Sequence, residues 1–252
     1  HHGPQACRRT HRMKNNDMWI IGHRGAAGMR PENTLLAVSH ALTVGVDWVE
    51  IDIRLVDEEL IVLHDETLER TTNGSGSVYQ RSLSELRALD AGQGQSVPFL
   101  GEVMDLIDAG AGLNIEIKQT GLNEHLSALL KRYLLAQPRW RNRLMISSFI
   151  TEVMDDFSTA TPAGCLLGAL SESDPERIVL QADRSNFFSI NLSVRQLSSS
   201  LVATAHVQNL KVFVYTVNTP EQMRRCADLS VDGIFTDYPE RAIAFFNEPH
   251  TI

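Results

Sequence analysis

The chain lacks any long apolar run: nothing in its 252 residues approaches the roughly 18 consecutive apolar residues of a membrane helix, so stable membrane insertion is not expected. Cysteine is scarce. Cys7, Cys165 and Cys226 stand far apart, show no metal-ligand spacing and, being three, cannot all pair within one chain, which fits a reducing, cytoplasmic setting. Positive charge is in deficit, with a formal net charge of −8 and no basic cluster. That argues against nucleic acid as a partner but leaves room for a cationic pocket holding one phosphate, so small molecules are the expected partners. Residues 1–16 lack the apolar centre of a secretory signal and are polar and basic, and they are set apart as an unstructured leader or tag remnant.

What is present is a hydrophobic fraction of 43%, enough for one full core over residues 17–248, where no linker suggests a second domain. Short strand-like runs alternate with helical ones. They are Trp19 to Gly22, Trp48 to Arg54, Leu60 to Leu63, Leu113 to Lys118, Leu144 to Ser148, Gly164 to Leu167, Phe187 to Leu192, Lys211 to Thr216 and Gly233 to Thr236. A (β/α)8 TIM barrel, the expected α/β fold, has one stave fewer than this set. Only Leu55 to Glu59 separate the second run from the third, too short for a parallel crossover, so Leu60 to His64 should fold back as a hairpin arm. A two-residue loop at Asp57-Glu58 would set His64 opposite Ile51, and a three-residue loop opposite Asp52; a functional His64 is expected to need the second register or a bulge. Residues 66–98 then form a long insertion, read as a cap over the barrel mouth and containing a short helix at Leu83 to Leu89.

Chemistry concentrates at the strand ends, where such barrels build their sites. Glu50 and Asp52 lie two apart on one strand and share a face; Glu116 and Lys118 repeat that arrangement on the next. With His23, His64 and Arg24 they suggest a divalent cation, Mg²⁺ or Ca²⁺, held by oxygen ligands beside a proton donor and acceptor. The bland alternative is a salt-bridged network with Arg24, Arg54 or Lys118. Gly25 and Gly28 would let backbone pass close to a ligand. Asn33 reads as a helix cap, Glu32 as a residue within reach of the metal or a substrate hydroxyl, and Tyr215 as a pocket wall. His40, His125 and His206 fall in helical patterns and are expected to serve the surface or the packing.

Taken together, His23-Arg24-Gly25, Pro31-Glu32-Asn33-Thr34, Glu50-Ile51-Asp52, His64-Asp65, Leu68-Glu69-Arg70-Thr71-Thr72, Ile115-Glu116-Ile117-Lys118, Ser147-Ser148-Phe149, Tyr215-Thr216-Val217-Asn218 and Thr236-Asp237 resemble the glycerophosphodiester phosphodiesterases of the phospholipase-C-like barrel group, over nearly all of Trp19 to Glu240. The resemblance implies metal ligands Glu50, Asp52 and Glu116, an acid–base pair in His23 and His64, and phosphate contacts from Arg24 and Lys118. It also implies hydrolysis of glycerophosphodiesters through a cyclic phosphate. The rivals are a related barrel acting on lysophospholipids and a non-catalytic barrel that binds a polyol phosphate.

Overall fold

The computed structural model describes residues 18–107, 110–184 and 186–248; the expected leader lies outside them. A closed ring of eight parallel staves, with helices between them, forms a (β/α)8 TIM barrel. In chain order the elements are β1 (Trp19–Gly22), α1 (Leu35–Val44), β2 (Trp48–Val56), β3 (Glu59–Val62), α2 (Leu83–Ala88), α3 (Leu100–Leu106), β4 (Gly112–Ile117), α4 (Asn123–Ala136), β5 (Leu144–Ser148) and α5 (Thr151–Ala160). They continue with β6 (Cys165–Ser171), α6 (Pro175–Arg184), β7 (Ser189–Ser193), α7 (Ser199–Val207), β8 (Lys211–Tyr215), α8 (Pro220–Asp228), β9 (Gly233–Thr236) and α9 (Pro239–Asn247). The ninth strand, β3, is the antiparallel arm anticipated from the short Leu55 to Glu59 connection.

Alternation along the staves divides two cores. Outward residues such as Val49, Ile51 and Ile53 meet the helices in the main core. Inward, at the amino ends, Trp19 stacks on Trp48 at 5.6 Å and on Phe213 at 5.5 Å. Ile21, Met145 and Phe235 complete this floor. Gly112 is required there, because a Cβ would come within 2.4 Å of the Trp48 ring. The floor leaves the upper half of β2 and β4 to present Glu50, Asp52 and Glu116 instead of packing residues.

The hairpin takes the two-residue loop. Val56 faces Glu59 and Arg54 faces Ile61, while Asp57 and Glu58 both adopt positive φ, 46° and 66°, the backbone a tight twisted hairpin demands. Its continuation sets Leu63 opposite Asp52, with Leu63 N–H donating to the Asp52 carbonyl at 3.0 Å. The expectation that a functional His64 needs the other register or a bulge is therefore corrected. The chain leaves the ladder after Leu63, so the pleat no longer dictates where His64 points. Arg54 Nε and Nη2 hold the departing His64 carbonyl at 3.1 and 2.7 Å.

The insertion builds a small core of its own against the hairpin, from Val56, Ile61, Leu63, Leu68, Val78, Leu86, Ala91 and Val97. Its helix α2 starts with a capping box between Ser82 and Glu85. Among the described residues, no helix is long and apolar enough to cross a membrane. The thiols of Cys165 and Cys226 are free, and burial pushes both up to about 12, which leaves them protonated and unreactive.

Candidate active site

A cavity of about 200 Å³ opens at the carboxyl ends of the staves, lined by His23, Arg24, Glu50, His64, Glu116, Lys118 and Tyr215, with Asn114, Phe149, Leu170, Glu172, Thr216 and Phe235. Seven sequence-predicted site residues thus line one cavity. Asp52 is not in the lining but is buried next to it, 1% exposed. The β2–β4 register sets Asp52 beside Glu116, and Glu50, Asp52 and Glu116 each offer a carboxylate oxygen within 4.8 Å of the others.

Unscreened carboxylates at this spacing resist ionising together, and burial adds to the penalty. Burial, then the neighbouring Asp52, pushes the Glu50 carboxyl up to about 8; the same two causes raise Glu116. Asp52 goes the other way: burial opposes its charge, but Lys118 and Arg24 outweigh that and hold its carboxyl below the ordinary range. Lys118 Nζ is 3.1 Å from Asp52 Oδ1 and in close contact with Glu116 Oε1. Arg24 Nε is 3.2 Å from Asp52 Oδ2, and its backbone N–H donates to Glu50 Oε2 at 2.8 Å. To reach that carboxylate Arg24 takes a positive φ of 49°, a strained backbone that surrounding contacts must hold. Even so, Glu50 Oε1 is buried with no hydrogen-bond partner.

The imidazoles stand in different fields. His23 Nδ1 is 2.7 Å from Asp237 Oδ1 and its Nε2 is 4.0 Å from Glu50 Oε2. Burial works against a charged His23, but the Asp237 hydrogen bond and the Glu50 charge prevail, and its pKa is raised. For His64 burial wins over Asp52 and Asp65, and its pKa is lowered. Its Nδ1 meets Asp65 Oδ1 at 2.5 Å.

One assignment changes, and two others find protein neighbours. Asn33 is not the cap of α1; Thr34 is, accepting from the Ala37 N–H. Asn33, buried and at φ 58°, instead brackets Asp52: Nδ2 donates to Oδ2 at 2.9 Å while Oδ1 accepts the Asp52 N–H at 3.1 Å. Glu32, expected at the metal or a substrate hydroxyl, does not line the cavity, because Arg24 and Arg70 occupy both its oxygens. Gly25 and Gly28 serve close packing inside the protein; a Cβ would come within 2.6 Å of the Ala37 backbone and 2.4 Å of the Tyr238 ring, respectively.

Sequence reasoning also gave no role to the groups behind His23. Asn218 Nδ2 donates to Asp237 Oδ2 at 2.6 Å, and the Asp237 N–H donates to Asn218 Oδ1 at 2.9 Å. Their position at the ends of β8 and β9 was the available signal. Opposite the acids, Tyr215 gives its hydroxyl to the Ser171 carbonyl at 2.5 Å and meets Phe149 edge-on at 5.9 Å, so its ring is a wall.

This arrangement can bind a compact anion, supply and remove protons, and hold a cation. Comparison with known proteins names the class: the model of the glycerophosphoryl diester phosphodiesterase family matches residues 23–241. The chain belongs to that family. A glycerophosphodiester phosphodiesterase of Caldanaerobacter subterraneus subsp. tengcongensis is 35% identical, over 89% of this chain and 96% of its own. The Bacillus subtilis protein YhdW is 32% identical, over 88% of this chain and 96% of its own. Among solved structures, an Oleispira antarctica phosphodiesterase in complex with the product sn-glycerol-3-phosphate superposes with a TM-score of 0.82 at 29% identity, covering 91% of this chain and 97% of that one. This member of the glycerophosphoryl diester phosphodiesterase family is therefore an enzyme on the family's barrel.

Proposed function

We propose that the chain hydrolyses glycerophosphodiesters to an alcohol and sn-glycerol 3-phosphate, with Glu50, Asp52 and Glu116 holding a divalent cation and His23 and His64 acting as the acid–base pair. One observation carries the reading: three carboxylates and two imidazoles meet at one cavity. The Oleispira relative, bound to sn-glycerol-3-phosphate, supports the product. The unpartnered Glu50 Oε1 and the purely oxygen donor set fit a hard cation, Mg²⁺ or Ca²⁺, better than Zn²⁺. When bound, such an ion would neutralise non-bridging phosphate oxygens and make phosphorus easier to attack.

The chain's own groups do the rest. Arg24 and Lys118, on the cavity wall, bind phosphate oxygens through charge-assisted hydrogen bonds. With Nδ1 of each histidine held by a carboxylate, Nε2 is the nitrogen each ring would turn to the substrate. Their opposite pKa displacements favour one protonated and one neutral ring in the same pH window. The neutral ring takes the proton of the glycerol secondary hydroxyl as that oxygen bonds to phosphorus, an attack favoured by tethering. The other ring protonates the departing alcohol oxygen as its P–O bond breaks. Roles then reverse: water gives its proton to the now neutral imidazole as its oxygen bonds to phosphorus, the P–O bond to the secondary glycerol oxygen breaks, and the protonated imidazole gives that oxygen its proton, leaving sn-glycerol 3-phosphate.

The test is release of sn-glycerol 3-phosphate from a panel of glycerophosphodiesters with Mg²⁺, Ca²⁺ or chelator. Turnover that disappears on chelation and returns with either ion is expected. Tight binding of glycerol phosphate with no turnover under any of these conditions would refute the hydrolytic reading.

A further inference from the structure

The motif Leu68-Glu69-Arg70-Thr71-Thr72 is used by neither the cavity wall nor the proposed chemistry, yet Arg70 joins two lines of contacts that lead there. On one side Nε donates to Asp65 Oδ2 at 2.6 Å and Nη2 to Asp65 Oδ1 at 2.9 Å, and Asp65 holds His64 Nδ1. On the other, Nη1 and Nη2 donate to the two Glu32 oxygens at 2.8 and 2.9 Å. Glu32 Oε1 accepts from Arg24 Nη1 at 2.7 Å, and Arg24 reaches Asp52.

We propose that Arg70 is a positioning residue: its guanidinium fixes His64 and Arg24 relative to each other, which makes the 66–98 insertion part of the catalytic apparatus. The inference rests on the function proposed above. Two carboxylates gripped by one planar fork is a geometry that lysine cannot reproduce. Stabilisation alone is a poor account of it, because the Arg70 side chain is 47% exposed and ion pairs that open to water contribute little to folding. Orientation is the better account. Once His64 leaves the ladder after Leu63, Arg54 holds its carbonyl but no strand register aims its ring, whose side-chain anchor is Asp65 and what holds Asp65. Arg70 stands behind Asp65 as Asn218 stands behind Asp237. Its second grip, on Glu32, ties that imidazole to the cation that faces phosphate.

Arg70→Gln and Arg70→Lys enzymes decide the matter by two readouts. The first is steady-state hydrolysis of a glycerophosphodiester. The Gln variant should lose about 10- to 100-fold in kcat with little change in KM, and the Lys variant less, as for a misaligned catalytic group. The second is the NMR signal of the His64 Nδ1 proton in substrate-free enzyme, assigned by its loss in His64→Ala. It should be lost or displaced in Arg70→Gln while the His23 signal stays. Unchanged kcat, or a fall in kcat with the His64 signal unmoved, would overturn the proposal. If the Gln variant does not fold, the Lys variant decides by the same pair of readouts. A wild-type enzyme that hydrolysed no glycerophosphodiester would defeat the functional reading, while the proton signal would still report whether Arg70 orients His64.

Discussion

His23 and His64 face one cavity from two kinds of support. His23 follows β1 and leans on Asp237 and Asn218, which follow β9 and β8, so every member of that line is delivered by the closed ring of staves. His64 ends a hairpin arm outside the ring and leans on Asp65 and Arg70, the latter from an insertion with its own small core. Side chains just past the stave ends hold the first ring; an ionic fork holds the second. The contrast teaches that a barrel can hold one of the two proposed catalytic rings from its own stave ends and leave the other to an added segment.

The sharpest way to break the contrast is to remove each ring. His23→Ala and His64→Ala should each lower kcat by roughly 10²-fold or more with the fold intact, measured by product release alongside circular dichroism; activity surviving in one would end the idea of a pair. Next in size, Leu68→Ala empties the fully buried centre of the insertion core and should destabilise it by about 2–5 kcal/mol. Hydrogen exchange should then accelerate over residues 66–98 and leave β1 and β9 protected, whereas uniform acceleration would mean that insertion and barrel unfold as one.

Asp237→Asn is a smaller disturbance, expected to cost about 1–3 kcal/mol through lost charge-assisted hydrogen bonding, by thermal denaturation, and to shift the NMR signals of His23 but not of His64. The smallest effect is its pH dependence. For Asp237, burial opposes the charge but the His23 hydrogen bond wins, so its carboxyl sits below the ordinary range. A depressed carboxyl contributes stability that is present above its unfolded pKa, about 3.9, and lost as pH falls through the folded value. The stability gap between wild type and Asp237→Asn should therefore hold near pH 6 and close under acid; a gap that widened would contradict the hydrogen bond.

Much of the ring was legible in the sequence because short apolar runs bounded by turns mark strands buried on both faces. Leu144–Ser148 and Gly233–Thr236 appear as expected. The fifth stave, β6, runs on to Ser171, past the anticipated Leu167, because pairing with β5 and β7 on both sides overrides the weak strand preference of Gly168 and Ala169. The acids could be found because Glu50, Asp52 and Glu116 are charges where a strand should bury side chains. Their supports could not. Asn33 meets Asp52 from 19 residues away and Asp237 meets His23 from 214 away, distances at which spacing carries no information. Asn33 was also masked by a plausible rival role, since Asn suits both a helix cap and the left-handed backbone it adopts.

The stacked tryptophans beneath the carboxylates have one more consequence. With Trp19, Trp48 and Phe213 packed across the lower barrel, the described residues leave no passage through the floor, so what enters from the carboxyl ends of the staves should leave on that side. On the proposed reaction, entry and clearance then compete for the same side of the barrel, and accumulated glycerol phosphate should obstruct newcomers competitively.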